Sequence, residues 1–384
     1  MCNSKEYKLL RRISKQDSPL SDYSYSLFLF ISRLVSKSTS DEITDLFFLS
    51  REGKYLKQLY DNYILENNIT NCPQSHYLYV SRKAVINSTL SDIDNEKFDS
   101  LKTYDRLSIL KFLDVFEFSE DKKEKMLNEI KCDVNVEYFN FFDSSAFDEL
   151  KHNTLFREQY EARRTIENNN FLKYLKNSGF LDSKRVALVD VGWNGTMQNH
   201  LYKLGFHKEL YGYYIGARTS LERHSGNKKC GLLFEVGSRH VFSHYCHNYE
   251  YLCVADHGGV VGYDSDGNPV LKDDYDVNLY DCVFCDVQKR IMDKFRTICK
   301  ELHGKETLEK SLEKCIVFRH TKMLSNFSKT EKKILQYAIS RHPDNLVDIK
   351  NKKNLKYHLF KIRRQICIRL QLLSSFFAIL RSST

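Results

Sequence analysis

Residues 186–196 read VALVDVGWNGT. The four apolar residues 186–189 form the continuous run expected of a strand buried on both faces, which puts Asp190 at its carboxyl end. Gly192 and Gly195 let the backbone turn with positive φ and approach a ligand closely. Thr196 then opens a helix, where free N–H groups and the helix dipole favour an anion. The Thr196 hydroxyl and the Asn194 amide add hydrogen bonds suited to phosphate oxygens. Asp190 repels phosphate, but it accepts hydrogen bonds from the vicinal hydroxyls of a sugar or binds Mg²⁺. An acid beside a phosphate cradle fits a sugar phosphate. The plainer reading of the same stretch is a tight strand–helix turn with Thr196 as cap.

The flanking sequence repeats the pattern. DLFFL at 45–49 is a short apolar run that ends in Ser50-Arg51-Glu52-Gly53 and passes into the helical KYLKQLYDNYI. SHYLYVS at 75–81 is a second strand, closed by Arg82 and Lys83, and LYGYYI at 210–215 is another, closed by Gly216, Ala217 and Arg218. Helices are expected over 21–37, over 155–178 with Gly179 at its C′ position, and over 197–204 before Gly205. Strand, turn and helix alternate, and polar residues gather where strands end. This is the signature of an α/β protein, a parallel sheet flanked by helices with ligands at its carboxyl edge. The segment 101–130 has helical periodicity and reads as part of a helical insertion over about 95–165. From 286 onward the pattern is helical. The expected organisation is an α/β catalytic domain over 1–285 and a helical region over 286–384.

Bulk composition narrows the classes. With 384 residues, 42% apolar and only four prolines, the chain can bury a large core, and extended disorder is not expected. Its eleven cysteines are odd in number and irregularly spaced. A secreted disulfide framework would pair them, so a reducing cytoplasm is expected. The opening MCNSKEYKLLRRISKQDS has no apolar core for a leader, and no apolar run approaches the roughly twenty residues of a membrane span.

The net charge is +9, but residues 348–384 hold nine Lys and Arg against the single acid Asp348. The rest is nearly neutral, which argues against a nucleic-acid groove. In that tail Leu355, Leu359, Ile362, Ile366, Leu370, Leu373, Phe377 and Leu380 fall at helical steps among the cations. A basic amphipathic helix over 350–384 suits either an anionic membrane surface or docking on the body. His244, Cys246 and His247, with the C-x-x-C of Cys282 and Cys285, invite a zinc reading. No second knuckle lies between them, and core packing explains them as well.

The 186–196 loop resembles the phosphoribosyl-diphosphate loop of phosphoribosyltransferases, a hydrophobic strand, acids and a small-residue turn ending in Gly-Thr. The resemblance implies that Asp190 holds ribose hydroxyls and that Asn194, Gly195 and Thr196 hold the 5-phosphate, with Gly192 and Trp193 in the same loop. Val191 stands where that family has a second acid. The resemblance extends to Ser50, Arg51, Glu52 and Gly53, matching the short loop that binds pyrophosphate. There an Arg offers a bidentate fork and a Gly lets the backbone approach. The plainer reading of Arg51 is a surface ion pair with Glu52 or Asp45. Arg82 and Lys83 would add charge for the leaving diphosphate.

A second resemblance covers about 21–270. FFLSREG, YLYVSRKA, VALVDVGWNGTMQ and EYLCVADHGGVVGY, in that order, are similar to a bacterial family from capsule and O-antigen loci. That family is often labelled a predicted hydrolase of the HAD superfamily. The HAD motif needs D-x-D-x-T, and here Gly192 follows Asp190 where the second acid should be. The resemblance implies a glycan phosphoribosyltransferase that moves 5-phosphoribose from phosphoribosyl diphosphate, with Mg²⁺, to a sugar hydroxyl in surface-polysaccharide biosynthesis. It implies a lipid-linked acceptor at the cytoplasmic membrane face and a separate phosphatase acting on the product. Diphosphate would leave through an oxocarbenium-like transition state. Glu250, Asp256 and His257 are candidates to deprotonate the acceptor, and Arg218 for substrate contact. A HAD-type phosphatase and a non-catalytic membrane-associated scaffold are the alternatives.

Overall fold

A computed structural model describes residues 19–326 except 100, 103–105, 117, 219–224, 239, 273–279 and 303–308, together with 368 and 370. The chain begins with α1 (Tyr23–Ser40), β1 (Asp45–Leu49), α2 (Gly53–Glu66), β2 (Gln74–Leu78) and α3 (Arg82–Ser88). There follow β3 (Arg106–Leu107), α4 (Ile109–Val115), α5 (Glu120–Glu129), β4 (Tyr138–Phe139), α6 (Ser145–His152) and α7 (Thr154–Asn177). Next come β5 (Val186–Trp193), α8 (Thr196–Lys203), β6 (Leu210–Ala217), β7 (Asn227–Glu235) and α9 (Asn248–Leu252). The hairpin β8 (Val260–Tyr263) and β9 (Pro269–Leu271) leads to α10 (Cys285–Leu302) and α11 (Glu309–Ser325).

Five strands form one sheet in the order β2-β1-β5-β6-β7. Every pairing in it is parallel, so the chain has the Rossmann-like α/β fold that its strand-ending motifs imply. Period-two alternation divides β1 and β5 between two cores. Leu46 and Phe48 of β1 and Ala187, Val189 and Val191 of β5 face α1, α2, α10 and α11. Phe47 and Leu49, with Val186 and Leu188, face α3, α7 and α8. The helices α10 and α11 thus share a core with α1 and α2. A third cluster, running in sequence from Ile93 to Tyr160, is rich in phenylalanine and lies between α3 and the first turns of α7.

Several elements depart from the sequence expectation, three of them in the main sheet. The second strand stops at Leu78 rather than 81, because the Ser50 hydroxyl takes over the Val80 backbone. It accepts the Val80 N–H at 2.9 Å and donates to the Val80 carbonyl. β5 runs on to Trp193, since Gly192 and Trp193 still pair with Gly216 and Ala217. The edge strand β7 escapes an apolar-run reading because Asn227 and Lys229, both buried, have polar partners. Asn199 Oδ1 accepts from Asn227 Nδ2 at 2.8 Å and from Lys229 Nζ at 2.7 Å.

Among the described residues no helix is long and apolar enough to cross a membrane. The expected amphipathic helix over 350–384 lies outside the described residues, apart from Ile368, which is buried in the larger core, and Leu370, which is exposed.

Candidate functional site

From β1 the chain crosses over α2 on one face to β2, and from β2 it returns over α7 on the other face to β5, on the far side of β1. The carboxyl ends of β1 and β5 therefore flank a topological switch point, where open α/β sheets bind ligands. The 50–53 and 190–196 segments both sit there. Peptide bonds Ser50–Arg51 and Gly192–Trp193 are cis.

Gly192 has φ 142°, and a Cβ on it would lie 2.2 Å from the Gly216 carbonyl oxygen. Only glycine lets the two strand ends run this close. Gly195, at φ 63°, is the N-cap of α8, and no side chain caps that helix. The start of α2 also lacks a side-chain cap. Gly53 begins it so close to β1 that a Cβ would fall 2.6 Å from the Phe48 carbonyl carbon. By contrast, Ser81 caps α3, accepting from the Ala84 N–H at 3.1 Å. Two helices thus begin at this edge without side-chain caps, and an uncapped helix start is the arrangement that receives anions.

Asp190 is 7% exposed, and its Oδ1 accepts the Val191 N–H at 2.8 Å. Burial pushes its carboxyl well above the ordinary range. Neighbouring Glu52 and Glu250 push it further, while the Val191 N–H and the Arg82 charge pull it back. The electrostatics gather Asp190, Glu52, Glu250 and Arg82, contributed by β5, the β1–α2 turn, α9 and α3. Acids from two other segments thus act on the carboxyl at the end of β5. The Cys253 thiol, fully buried, borders the same group, and burial followed by Glu52 and Asp190 raises its pKa.

The remaining expected residues divide by what occupies them. Ser50 is buried with its hydroxyl spent on Val80. Arg51 is half-buried in the β1–α2 turn, and its backbone N–H donates to the Glu52 carboxylate at 3.2 Å. Arg82 and Lys83 are exposed at the start of α3. Trp193 donates its indole N–H to Glu250 Oε1 at 2.7 Å and packs against Phe234. Asn194 is exposed, Thr196 half-buried, and Arg218 exposed with its N–H donating to the Trp193 carbonyl at 2.9 Å. Asp256 is ion-paired with Lys54. Burial opposes its ionisation, but the Lys54 hydrogen bond and charge outweigh this and hold its pKa below the ordinary value. His257 accepts from the Tyr77 hydroxyl at 2.7 Å, and burial lowers its pKa.

Sequence reasoning missed Lys229. Its ammonium, under the 194–199 turn, donates to the Asn194 carbonyl at 3.0 Å, and its Cε would meet a Cβ at Gly195 at 2.8 Å. The only signal was a lysine inside an otherwise unrecognised strand. Among the described residues no group of three or more His, Cys, Asp or Glu side chains is placed to hold a metal ion. No protein-family model matches the chain, and no curated protein matches it significantly.

Proposed function

We propose that this chain is a phosphoribosyltransferase that moves 5-phosphoribose from phosphoribosyl diphosphate to a sugar hydroxyl of a bacterial surface glycan. The observation that carries the reading is the junction at the β1–β5 switch point. A buried acid lies there between two helix starts that no side chain caps. The 5-phosphate would sit on the Gly195–Thr196 turn, stiffened from below by Lys229. Asp190 would accept hydrogen bonds from the ribose hydroxyls, which a carboxylate in a dry site rewards strongly. Diphosphate would lie over the Arg51–Gly53 turn, with Arg82 and Lys83 adding charge from α3.

Mg²⁺ bound to diphosphate keeps several waters and needs only one or two protein carboxylates. Asp190 and Glu52 form such a pair, and their mutual repulsion is what a cation would relieve. When bound, the ion neutralises charge developing on the leaving group. The protein's own residues hold the ribose, orient the diphosphate and shield the reacting carbon.

A lipid-linked acceptor and contact of 350–384 with the inner membrane surface belong to the same proposal, as does a separate phosphatase that trims the product. Mixing the protein with phosphoribosyl diphosphate, Mg²⁺ and a lipid-linked glycan extract should yield, by mass spectrometry, a glycan carrying an added pentose phosphate. Calorimetry showing no binding of phosphoribosyl diphosphate would overturn the reading.

A further inference from the structure

Tyr77, on β2 and first in the YLYVSRKA stretch, occupies the centre of a hydrogen-bonded chain at the site. Its hydroxyl is 2.7 Å from His257 Nε2 and 3.4 Å from the Arg51 carbonyl oxygen. The other ring nitrogen, His257 Nδ1, is 2.8 Å from the Gly258 carbonyl oxygen. A carbonyl only accepts, so Nδ1 carries the proton of the neutral ring. Nε2 is left as the acceptor, and Tyr77 donates to it.

The pair is held from several sides. Tyr79 packs on the imidazole with ring centroids 5.1 Å apart. Asp256, one residue before the histidine, is tied to Lys54 near the start of α2. The charged groups acting on Tyr77 and His257 are Glu52, Asp256, Lys54 and Arg51, all from the β1–α2 corner or the 256–257 segment. Two of the three acceptor-base candidates are committed elsewhere. Glu250 receives the Trp193 indole, and Asp256 receives the Lys54 ammonium. The Tyr77–His257 pair joins a neutral base to a hydroxyl beside Arg51.

We propose that Tyr77 and His257 form a proton relay that activates the acceptor sugar hydroxyl. The inference rests on the phosphoribosyltransferase reading. As the acceptor oxygen bonds to C1 of the ribose, its proton passes to Tyr77 Oη, and the phenol proton passes to His257 Nε2. The C1–oxygen bond to diphosphate breaks, and its electron pair leaves with the diphosphate. Tyr77 is neutral before and after the step. The imidazolium left behind is steadied by the Gly258 carbonyl and gives its proton to solvent. The imidazole needs the phenol as intermediary because the hydroxyl covers Nε2.

The test uses the full chain with Mg²⁺. Calorimetry measures phosphoribosyl diphosphate binding, and diphosphate release is followed with a lipid-linked glycan extract across pH. Tyr77→Phe should bind phosphoribosyl diphosphate within about twofold of the parent and turn over about 10²-fold or more slowly, the range of a lost general base. The parent rate should fall as pH drops through the depressed His257 pKa, and His257→Gln should lose that acid limb. A Tyr77→Phe protein that binds and turns over like the parent, or a His257→Gln protein that keeps the acid limb, overturns the relay and leaves the site reading standing. A parent chain that does not bind phosphoribosyl diphosphate overturns both.

Discussion

Asp41 and Glu209 at the amino end of the sheet and Asp190 at its carboxyl end hold their charge in opposite ways. At the amino end, Asp41 accepts from Lys37 and from the Tyr213 hydroxyl, each at 2.7 Å. Glu209 receives Lys228 and lies 3.5 Å from Arg185. Burial opposes ionisation of Asp41, but its hydrogen bonds outweigh it and hold the pKa below the ordinary value. The Lys228 hydrogen bond does the same for Glu209. At the carboxyl end burial drives the Asp190 pKa the other way, and Glu52 and Glu250 add to it. A buried carboxyl with a raised pKa at the carboxyl edge of a parallel sheet marks a candidate functional site.

The contrast breaks most sharply at Asp190 and Arg51. Asp190→Asn and Arg51→Ala should each lower phosphoribosyl transfer by about 10³-fold or more, the scale of a lost charge-stabilising group. Both proteins should remain folded by circular dichroism. Gly192→Ala should cost about 1–3 kcal/mol in urea unfolding and impair transfer as well, because a Cβ meets the Gly216 carbonyl and the φ is unfavourable to it. Asp41→Ala should cost about 1–3 kcal/mol by stranding the Tyr213 hydroxyl, with no change in transfer.

The smallest effect lies in the sign of the pH dependence. Asp41 has a depressed pKa, so its contribution is present above about pH 4 and is lost as pH falls. The stability deficit of Asp41→Ala should therefore shrink in acid. Asp190 has a raised pKa, so the folded state loses stability as pH climbs from about 4 through the folded value. Asp190→Asn should gain on the parent over that interval. Denaturant midpoints across pH would show two opposed trends, and parallel trends would remove the contrast.

Much of the fold was legible because buried parallel strands write themselves as short apolar runs. DLFFL matches β1 residue for residue, and VALV opens β5. The glycines at 53, 192 and 195 were legible too, since close backbone approach has no other residue to use. β7 was not, because its buried polar residues are satisfied by Asn199 and the 194–199 turn, and such partners leave no local pattern. Lys229 was hidden for the same reason. Ser50 was misleading, since a hydroxyl at a strand end serves a neighbouring backbone as readily as a ligand.

By itself the sequence determined the alternation of strand and helix, the polar strand ends and the glycine turn after Asp190. Periodicity and backbone sterics act over a few residues and leave a local trace. Only the tertiary structure decided that β1 and β5 lie side by side, that Glu52 and Glu250 act on Asp190, and that Tyr77 meets His257. Those pairings join residues as far as 180 apart by placing separate crossovers on opposite faces of one sheet. Electrostatic coupling depends on distance in space, and chain separation carries no record of it.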